Sequence, residues 1–269
     1  MALTEFQRGI CRLIATNRIE QGESYVAGGV ALNTLMHAPR VSRDIDLFHD
    51  TEEALQVTWD ADRALLGDVG YSVEPVRERS SFIQAVVSKG ANSTALQWVR
   101  DSAYRFFPLV EHEDFGLTLH PFDLATNKVL ALVGRLEVRD WIDVIECSVK
   151  IQHLGYLAWA ACGKDPGFNP RLILEEANRS SRYSAAEVAE LAFAGPPPDA
   201  TALAVAWRTM LGEAGELIEV LPVDEVGKCV LGQDGSLYCG TSEALQEALG
   251  VDRIRFHSGS VRGALPTLL

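Results

Sequence analysis

A short strand-like run, Ser24-Tyr25-Val26-Ala27, breaks at Gly28-Gly29 and resumes as Val30-Ala31-Leu32-Asn33-Thr34-Leu35-Met36. Strand, tight turn and helix must therefore follow one another with no room for a loop, which is the strongest local constraint in the chain. Glycine carries no β-carbon, so an anion such as a phosphate can approach the bare N–H groups at the positive end of that helix. After a short gap comes Arg40-Val41-Ser42-Arg43-Asp44-Ile45-Asp46-Leu47-Phe48, an apolar strand interrupted by acid. Side chains alternate across a strand, which puts Asp44 and Asp46 on one face. Two such carboxylates repel each other and invite a hard divalent cation, Mg2+ above all, that can bridge to substrate phosphates. Each half also has a plainer reading: Gly-Gly as simple turn chemistry, and Asp-x-Asp as a solvated strand end or helix cap.

A second block begins at Pro121, a residue suited to a helix start, with Asp123 in the first turn. Phe122, Ala125, Val129, Leu132, Val133 and Leu136 recur at helical spacing and predict a buried stripe. Lys128 falls at the edge of that stripe, where its ammonium could reach a phosphate, and Arg135 shares its face two turns later. In the following helix Arg139, Asp140 and Asp143 occupy one side, while Trp141, Val144, Ile145 and Ile151 supply apolar contacts. Arg139 and Asp143 stand at i, i+4 and could pair with each other, the plainer reading being an exposed, salt-bridged face.

Taken in order, the Gly-Gly turn, Arg-x-Ser-x-Asp-Ile-Asp-Leu-Phe, the Lys128 helix and Arg139-Asp140-Trp141-Ile142-Asp143 resemble the DNA polymerase β-like nucleotidyltransferase superfamily, in particular the AbiEii-type nucleotidyltransferase toxins. The matching motifs span residues 24–145. The resemblance implies an α+β fold, a polymerase β-like sheet with flanking helices, followed by a helical C-terminal region. It also implies metal-dependent transfer of a nucleoside monophosphate from an NTP to an acceptor hydroxyl. In that scheme Gly28, Gly29 and Ser42 cradle the triphosphate, Asp44 and Asp46 bind Mg2+, and Lys128 binds phosphate or assists proton removal. Asp143 or Asp140 orients the lysine, and Arg139 contributes to nucleotide binding. An RNA acceptor, the tRNA end especially, and a cognate antitoxin are the partners it implies.

The chain departs from the pattern at one point. Active members add a third carboxylate from a later strand, and the inward slot of Ala95-Leu96-Gln97-Trp98-Val99 holds Gln97, a neutral amide that is a poor base and a poor metal ligand. Asp101, at the end of the same strand with even parity to Gln97, could serve in its place, or a bulge or turn could direct it to solvent. A non-catalytic nucleotide- or partner-binding module of the same fold is therefore the competing reading.

The whole chain of 269 residues has ample length for a core, with 47% hydrophobic and 23% charged residues. No apolar run is long enough to span a bilayer, and Met1 to Glu20 reads as an amphipathic helix rather than a signal peptide, so a cytoplasmic location and no membrane partner are expected. Cys11, Cys147, Cys162, Cys229 and Cys239 show neither metal-ligand spacing nor a disulfide framework, and reduced thiols are expected. The six histidines form no motif. A net charge of −13, from 37 acidic and 24 basic side chains, disfavours indiscriminate nucleic-acid binding. An RNA acceptor would need a local basic patch, either Arg77, Arg79 and Lys89 or Arg171, Arg179 and Arg182. The charge suits a cationic, aminoglycoside-like acceptor better.

Alternating patterns predict a nucleotidyltransferase-like core over 1–120, with a helix from Glu52 to Leu66 and strands at Tyr71–Val76, Phe82–Val87, Thr94–Val99 and Phe115–Leu119. From 121 to 269 the chain reads as mainly helical, with helices near 121–136, 139–151, 155–163, 170–179 and 184–193. The breaks fall at Gly155, Gly163-Lys164-Asp165-Pro166-Gly167 and Ser180-Ser181. A linker at Gly195-Pro196-Pro197-Pro198 precedes a long helix capped by Asp199. A terminal hairpin of Lys228–Leu231 with Ser236–Cys239, a short helix from Ser242 to Leu249 and a last strand at Arg253–Phe256 complete the expectation.

Overall fold

The structure, a computed structural model, describes residues 3–180 and 183–267. Ser181 and Arg182 of the expected break and basic patch lie outside the described residues. The chain forms two compact units, one of Met1–Ala103, Leu109–His120 and Ala192–Gly195, the other of Tyr104–Pro108, Pro121–Leu191 and Pro196–Leu269. The main division falls at 120/121. Two short pieces change sides: Tyr104–Pro108 belongs to the second unit and Ala192–Gly195 to the first.

The first unit is a mixed sheet with helices. Helix α1 (Glu5–Gln21) starts from a Thr4/Gln7 capping box, and β1 (Ser24–Ala27) runs directly into α2 (Gly28–Leu35). Strand β2 (Asp44–His49) leads to α3 (Glu52–Asp68), capped by Thr51. Then come β3 (Ser72–Arg79), β4 (Phe82–Lys89) and β5 (Asn92–Arg100). In the second unit β6 (Tyr104–Arg105) is a two-residue strand, after which β7 (Val110–His112) and β8 (Gly116–Thr118) return to the first. The sheet order is β3-β4-β5-β2-β1-β8-β7. Strands β1 and β2 are antiparallel, whereas β2 with β5 and β1 with β8 are parallel.

The two faces of this sheet differ. Ile45, Leu47, Ile83, Ala85, Val87, Leu96 and Trp98 are buried on one face, where Trp98 Nε1 donates to Asp62 of α3 at 2.9 Å. Asp62 also holds Arg18 of α1 at 2.5 and 2.6 Å and Asn17 at 2.7 Å, so a fully buried ion pair ties the two helices together beneath the sheet. Such a pair needs these additional hydrogen bonds to offset its desolvation. Residues of the opposite face, among them Asp44, Asp46, Phe48, Gln84 and Gln97, are only half-buried. The alternation in the sequence therefore sorts an apolar, helix-covered face from a polar one.

The second unit is helical: α4 (Pro121–Arg135), α5 (Val138–Lys150), α6 (Leu154–Ala161), α7 (Pro170–Asn178), α8 (Ala185–Ala189) and α9 (Ala200–Val220). Every residue of α6 is buried. Its Gly155 packs so closely on α9 that a β-carbon there would lie 2.8 Å from Leu217 Cβ. Asp123 of α4 accepts the N–H groups of Phe106 and Phe107 at 2.8 and 3.0 Å and pairs with Lys164 at 2.8 Å. These bonds explain why Tyr104–Pro108 joins this unit.

The C-terminal end differs from the expected hairpin. Strand β9 (Cys229–Gly232), α10 (Ser242–Gly250), β10 (Ile254–His257) and β11 (Ser260–Val261) follow; β9 pairs along its length with β10 on one edge and meets the expected return segment on the other, Gly232 N–H donating to Ser236 O at 2.9 Å and Tyr238 N–H to Val230 O at 3.1 Å. The Asp234-Gly235 turn forms, but the return strand makes one isolated bridge, Leu231 with Leu237. Ile254 enters the cluster of Tyr156, Trp159, Leu217, Val230 and Leu245, an apolar gain that favours the longer pairing with β10. The expected helix 184–193 also stops early, at Ala189. All five cysteines are free thiols, four of them buried. No helix among the described residues is long and apolar enough to cross a membrane.

Candidate functional site

The first unit brings Gly28, Gly29, Ser42, Asp44 and Asp46 together. Antiparallel pairing sets Ala27 opposite Asp46, so the acid stands beside the point where β1 becomes α2. Gly28 has φ +64°, a left-handed conformation that side chains rarely adopt, and a β-carbon there would overlap Asp46 Oδ2. The carboxylate thus uses the space glycine leaves, a requirement of backbone angle and of volume at one position. Gly29 does the same for a cation: a β-carbon on it would lie 2.6 Å from Arg40 Nη2 and 3.5 Å from Ser42 Oγ. Arg40 and Ser42 are both buried. The helix that begins here has Ala27 as its N-cap and no side-chain cap hydrogen bond, which leaves its N-terminal N–H groups to other acceptors. Acid, base and backbone donors therefore converge on the Gly-Gly turn.

Sequence reasoning placed Arg40 inside the motif without giving it a role, and missed what holds it. Val41 N–H donates to Ala192 O at 2.8 Å and Ala194 N–H to Pro39 O at 2.7 Å, forming an antiparallel bridge between Arg40 and Phe193. No hydrophobic period marks 192–195; the nearest signal is the Gly-Pro-Pro-Pro that follows it.

The third acidic position is settled by register. Asp46 is the direct partner of Gln97 on β5, and Gln97 in turn of Gln84 on β4 and Gln84 of Arg77 on β3. A neutral amide therefore sits beside Asp46 on the half-buried face. Asp101 is four residues beyond Gln97, about 13 Å along an extended chain, past the end of β5; its N–H bonds His49 O and its Oδ1 accepts from Ser102 N–H at 2.8 Å. It does not stand in for a carboxylate at the Gln97 position. Among the described residues no group of three or more His, Cys, Asp or Glu could hold a metal by itself. The half-exposed Asp44 and Asp46 pair does fit Mg2+, which is commonly held by one or two carboxylates while substrate phosphates and water complete its shell.

Lys128, Arg139, Asp140 and Asp143 belong to the second unit. The helical spacing set Lys128 at the edge of the apolar stripe; in the structure it is buried, 3.0 Å from Asp140 Oδ1 and 3.2 Å from Asp143 Oδ2. Both acids hold the lysine, where the sequence left a choice between them. Arg135 joins the cluster through a two-point contact with Asp140, at 2.6 and 3.0 Å. Burial alone would raise the Asp140 carboxyl, but the Arg135 hydrogen bond and the Lys128 and Arg135 charges outweigh it and hold it below its ordinary value. Arg139 does not bridge to Asp143: its Nε lies 2.6 Å from Glu137 Oε2, because Asp143 is turned inward to the lysine. Of the basic patches, Arg171 and Arg179 are engaged by Glu219 and Glu176, whereas Arg77 and Arg79 are exposed on the edge strand β3, Arg77 over the Phe82 ring.

No family model and no curated protein matches the chain. Solved structures do. A nucleotidyltransferase candidate from Helicobacter pylori aligns over 81% of this chain and 98% of its own, with a TM-score of 0.53 and 17% identity. JHP933, also from Helicobacter pylori, aligns over 81% and 95%, with a TM-score of 0.53 and 15% identity. The nucleotidyltransferase toxin MenT4 from Mycobacterium tuberculosis aligns over 81% and 83%, with a TM-score of 0.52 and 14% identity. The chain shares the fold of these proteins, a mixed sheet flanked by helices.

Proposed function

We propose that the protein is a metal-dependent nucleotidyltransferase of the toxin type, transferring a nucleoside monophosphate from an NTP to an acceptor hydroxyl. The observation that carries this reading is the Asp46 carboxylate seated in the space left by Gly28, with Asp44 on the same face and the N-terminus of α2 beside it. The shared fold supports it.

In the reaction the acceptor hydroxyl attacks the α-phosphorus and gives up its proton to water, a new phosphodiester bond forms, and the α–β P–O bond breaks to release pyrophosphate. Gly28 and Gly29 admit the triphosphate to the α2 N-terminus, where N–H groups and the helix dipole stabilise negative charge. Asp44 and Asp46 would hold Mg2+, which when bound neutralises phosphate charge and polarises the phosphorus. Ser42 stands beside Gly29 to orient a phosphate oxygen. Lys128, Asp143 and Arg139 enter this proposal through the resemblance of their helices: Lys128 as phosphate-binding cation, Asp143 as its anchor, Arg139 as a nucleotide contact. RNA, the tRNA end above all, is the proposed acceptor, and an antitoxin the proposed regulator.

Incubation with labelled NTPs, Mg2+ and total RNA tests the reading. Label on RNA that disappears in Asp46→Ala supports it; no transfer, or transfer unchanged in that variant, sinks it. Label on an aminoglycoside in place of RNA would move the acceptor class toward cationic sugars, the direction favoured by the charge of −13. Gln97 beside Asp46 favours a second reading, a nucleotide-binding module without turnover. Calorimetry separates the two, since only the module binds NTP and never releases pyrophosphate.

A further inference from the structure

We infer that Arg40 grips the triphosphate at the Gly28-Gly29 turn and that the Ala192–Gly195 segment is the device that sets its position. The inference rests on the nucleotide reading above and extends it to a cation and a segment that the motif chemistry leaves without a role.

Three observations converge. Arg40 is 5% exposed, in a protein where long cationic side chains ordinarily keep their heads in water. Its guanidinium lies against Gly29, where a β-carbon would be 2.6 Å from Nη2 and 3.5 Å from Ser42 Oγ, at the first turn of a helix whose N-cap, Ala27, offers no side-chain acceptor. Its backbone is clamped on both sides, by Val41 N–H to Ala192 O and by Ala194 N–H to Pro39 O, from a stretch of chain some 150 residues later. A loop residue that only filled space would not need a distant strand partner flanking it on both sides. A planar guanidinium offers a rigid fork suited to two phosphate oxygens, and fixing its stem removes most of the entropy lost when such a long side chain binds.

Two variants move the guanidinium without deleting it. Gly29→Ala introduces a β-carbon 2.6 Å from Arg40 Nη2, the far end of a flexible side chain, so the fold is kept while the fork is displaced. Ala194→Pro removes the N–H bonded to Pro39 O and restricts Phe193 to the extended conformation its bridge already requires. Arg40→Lys keeps the charge and loses the fork. Affinity for ATP, GTP, CTP and UTP with MgCl2, and for inorganic tripolyphosphate, is measured by calorimetry alongside the thermal midpoint and amide exchange at Val41.

Loss of one charge-assisted contact predicts about 10- to 100-fold weaker binding of tripolyphosphate and of the preferred NTP in Gly29→Ala. Ala194→Pro should weaken binding in the same direction with faster Val41 exchange, and Arg40→Lys should fall between wild type and Gly29→Ala. In turnover the change should appear in KM rather than kcat. Folded variants that bind as tightly as wild type, or a Gly29→Ala protein that loses its fold, would overturn the inference while leaving the nucleotide reading standing. A wild-type protein that binds no triphosphate removes both.

Discussion

Each unit contains a pair of acids close in sequence, and the two pairs live in opposite environments. Asp44 and Asp46 alternate along a strand and are half-buried on the polar face of the sheet. Asp140 and Asp143 stand one helical turn apart, fully buried, around Lys128. The second pair is neutralised by cations of its own chain, Lys128 among them, the lysine proposed above to meet phosphate. The first leans on a glycine whose side chain would collide with it, and its partners across the sheet are an alanine and a glutamine. The first pair is half-exposed, where a cation from outside can reach it; the second already surrounds a lysine. Exposure and partners, not motif spacing, separate acids that can take an outside cation from acids that position a lysine of the chain itself.

That contrast breaks most visibly at Asp46. Asp46→Asn should lower label transfer by at least about 10³-fold, a typical consequence of losing a group that organises transition-state charge, with a smaller fall in the thermal midpoint than the loss of a fully buried acid produces. Asp140→Asn should show first in stability, with any loss of transfer following through Lys128. Removing one partner of a buried ion pair costs about 3–5 kcal/mol, which for a chain of this size lowers Tm by roughly 10 °C, read by thermal unfolding. An Asp46→Asn protein that melts as early as Asp140→Asn, or an Asp140→Asn protein that melts normally, would erase the distinction.

The same contrast explains how much could be read from the sequence. The strand–Gly-Gly–helix unit and the Asp44/Asp46 face are local, set by periods of two and 3.6, and appear where the pattern puts them. So does α4, within one residue of its expected end. The order of strands in the sheet, with β1 between β2 and β8, depends on partners far apart in the chain that no local period encodes. Arg18 and Asp62 look like surface charges on amphipathic helices until their pairing beneath Trp98 is seen. The clamp on Arg40 is the extreme case, because its hydrogen bonds are entirely backbone and leave no residue signature. Likewise β9 could not be assigned to β10 before the apolar cluster that favours it was known.

A smaller effect sharpens the difference between the two faces of the sheet. His49 alternates away from Asp46, onto the apolar face, where it lies 3.0 Å from Ser24 Oγ and 3.3 Å from Val99 O. Burial, with the nearby Arg18 charge, pushes its pKa down to about 3 from 6.5. Because the folded value lies below the unfolded one, the stabilisation is complete above pH 6.5 and is lost as pH falls from there toward 3. Each pKa unit corresponds to about 1.4 kcal/mol, so about 2 kcal/mol should disappear between pH 7 and pH 5. Denaturant unfolding at those pH values would show it, and His49→Gln should flatten the slope. The depressed Asp140 carboxyl acts lower, below its ordinary value of 3.8, and does not enter this window.

The smallest change expected is also the one that tests the polar face most directly. Gln97→Glu puts a third carboxylate beside Asp46 without altering length or register. If Asp44 and Asp46 hold a cation, the added charge should tighten it, and the Mg2+ concentration giving half-maximal NTP binding should fall about tenfold, near 1.4 kcal/mol. Without Mg2+ the same substitution crowds three acids and should lower Tm, with added Mg2+ restoring it; the two readouts must move together. A Tm that falls and is not recovered by Mg2+ would mean that the pair takes no cation, and the reading of this face as a reaction site would fall with it. Glu at the equivalent of a saturated position, as around Lys128, could not show such rescue, because there the compensating charge is supplied by Lys128 and Arg135 of the chain itself.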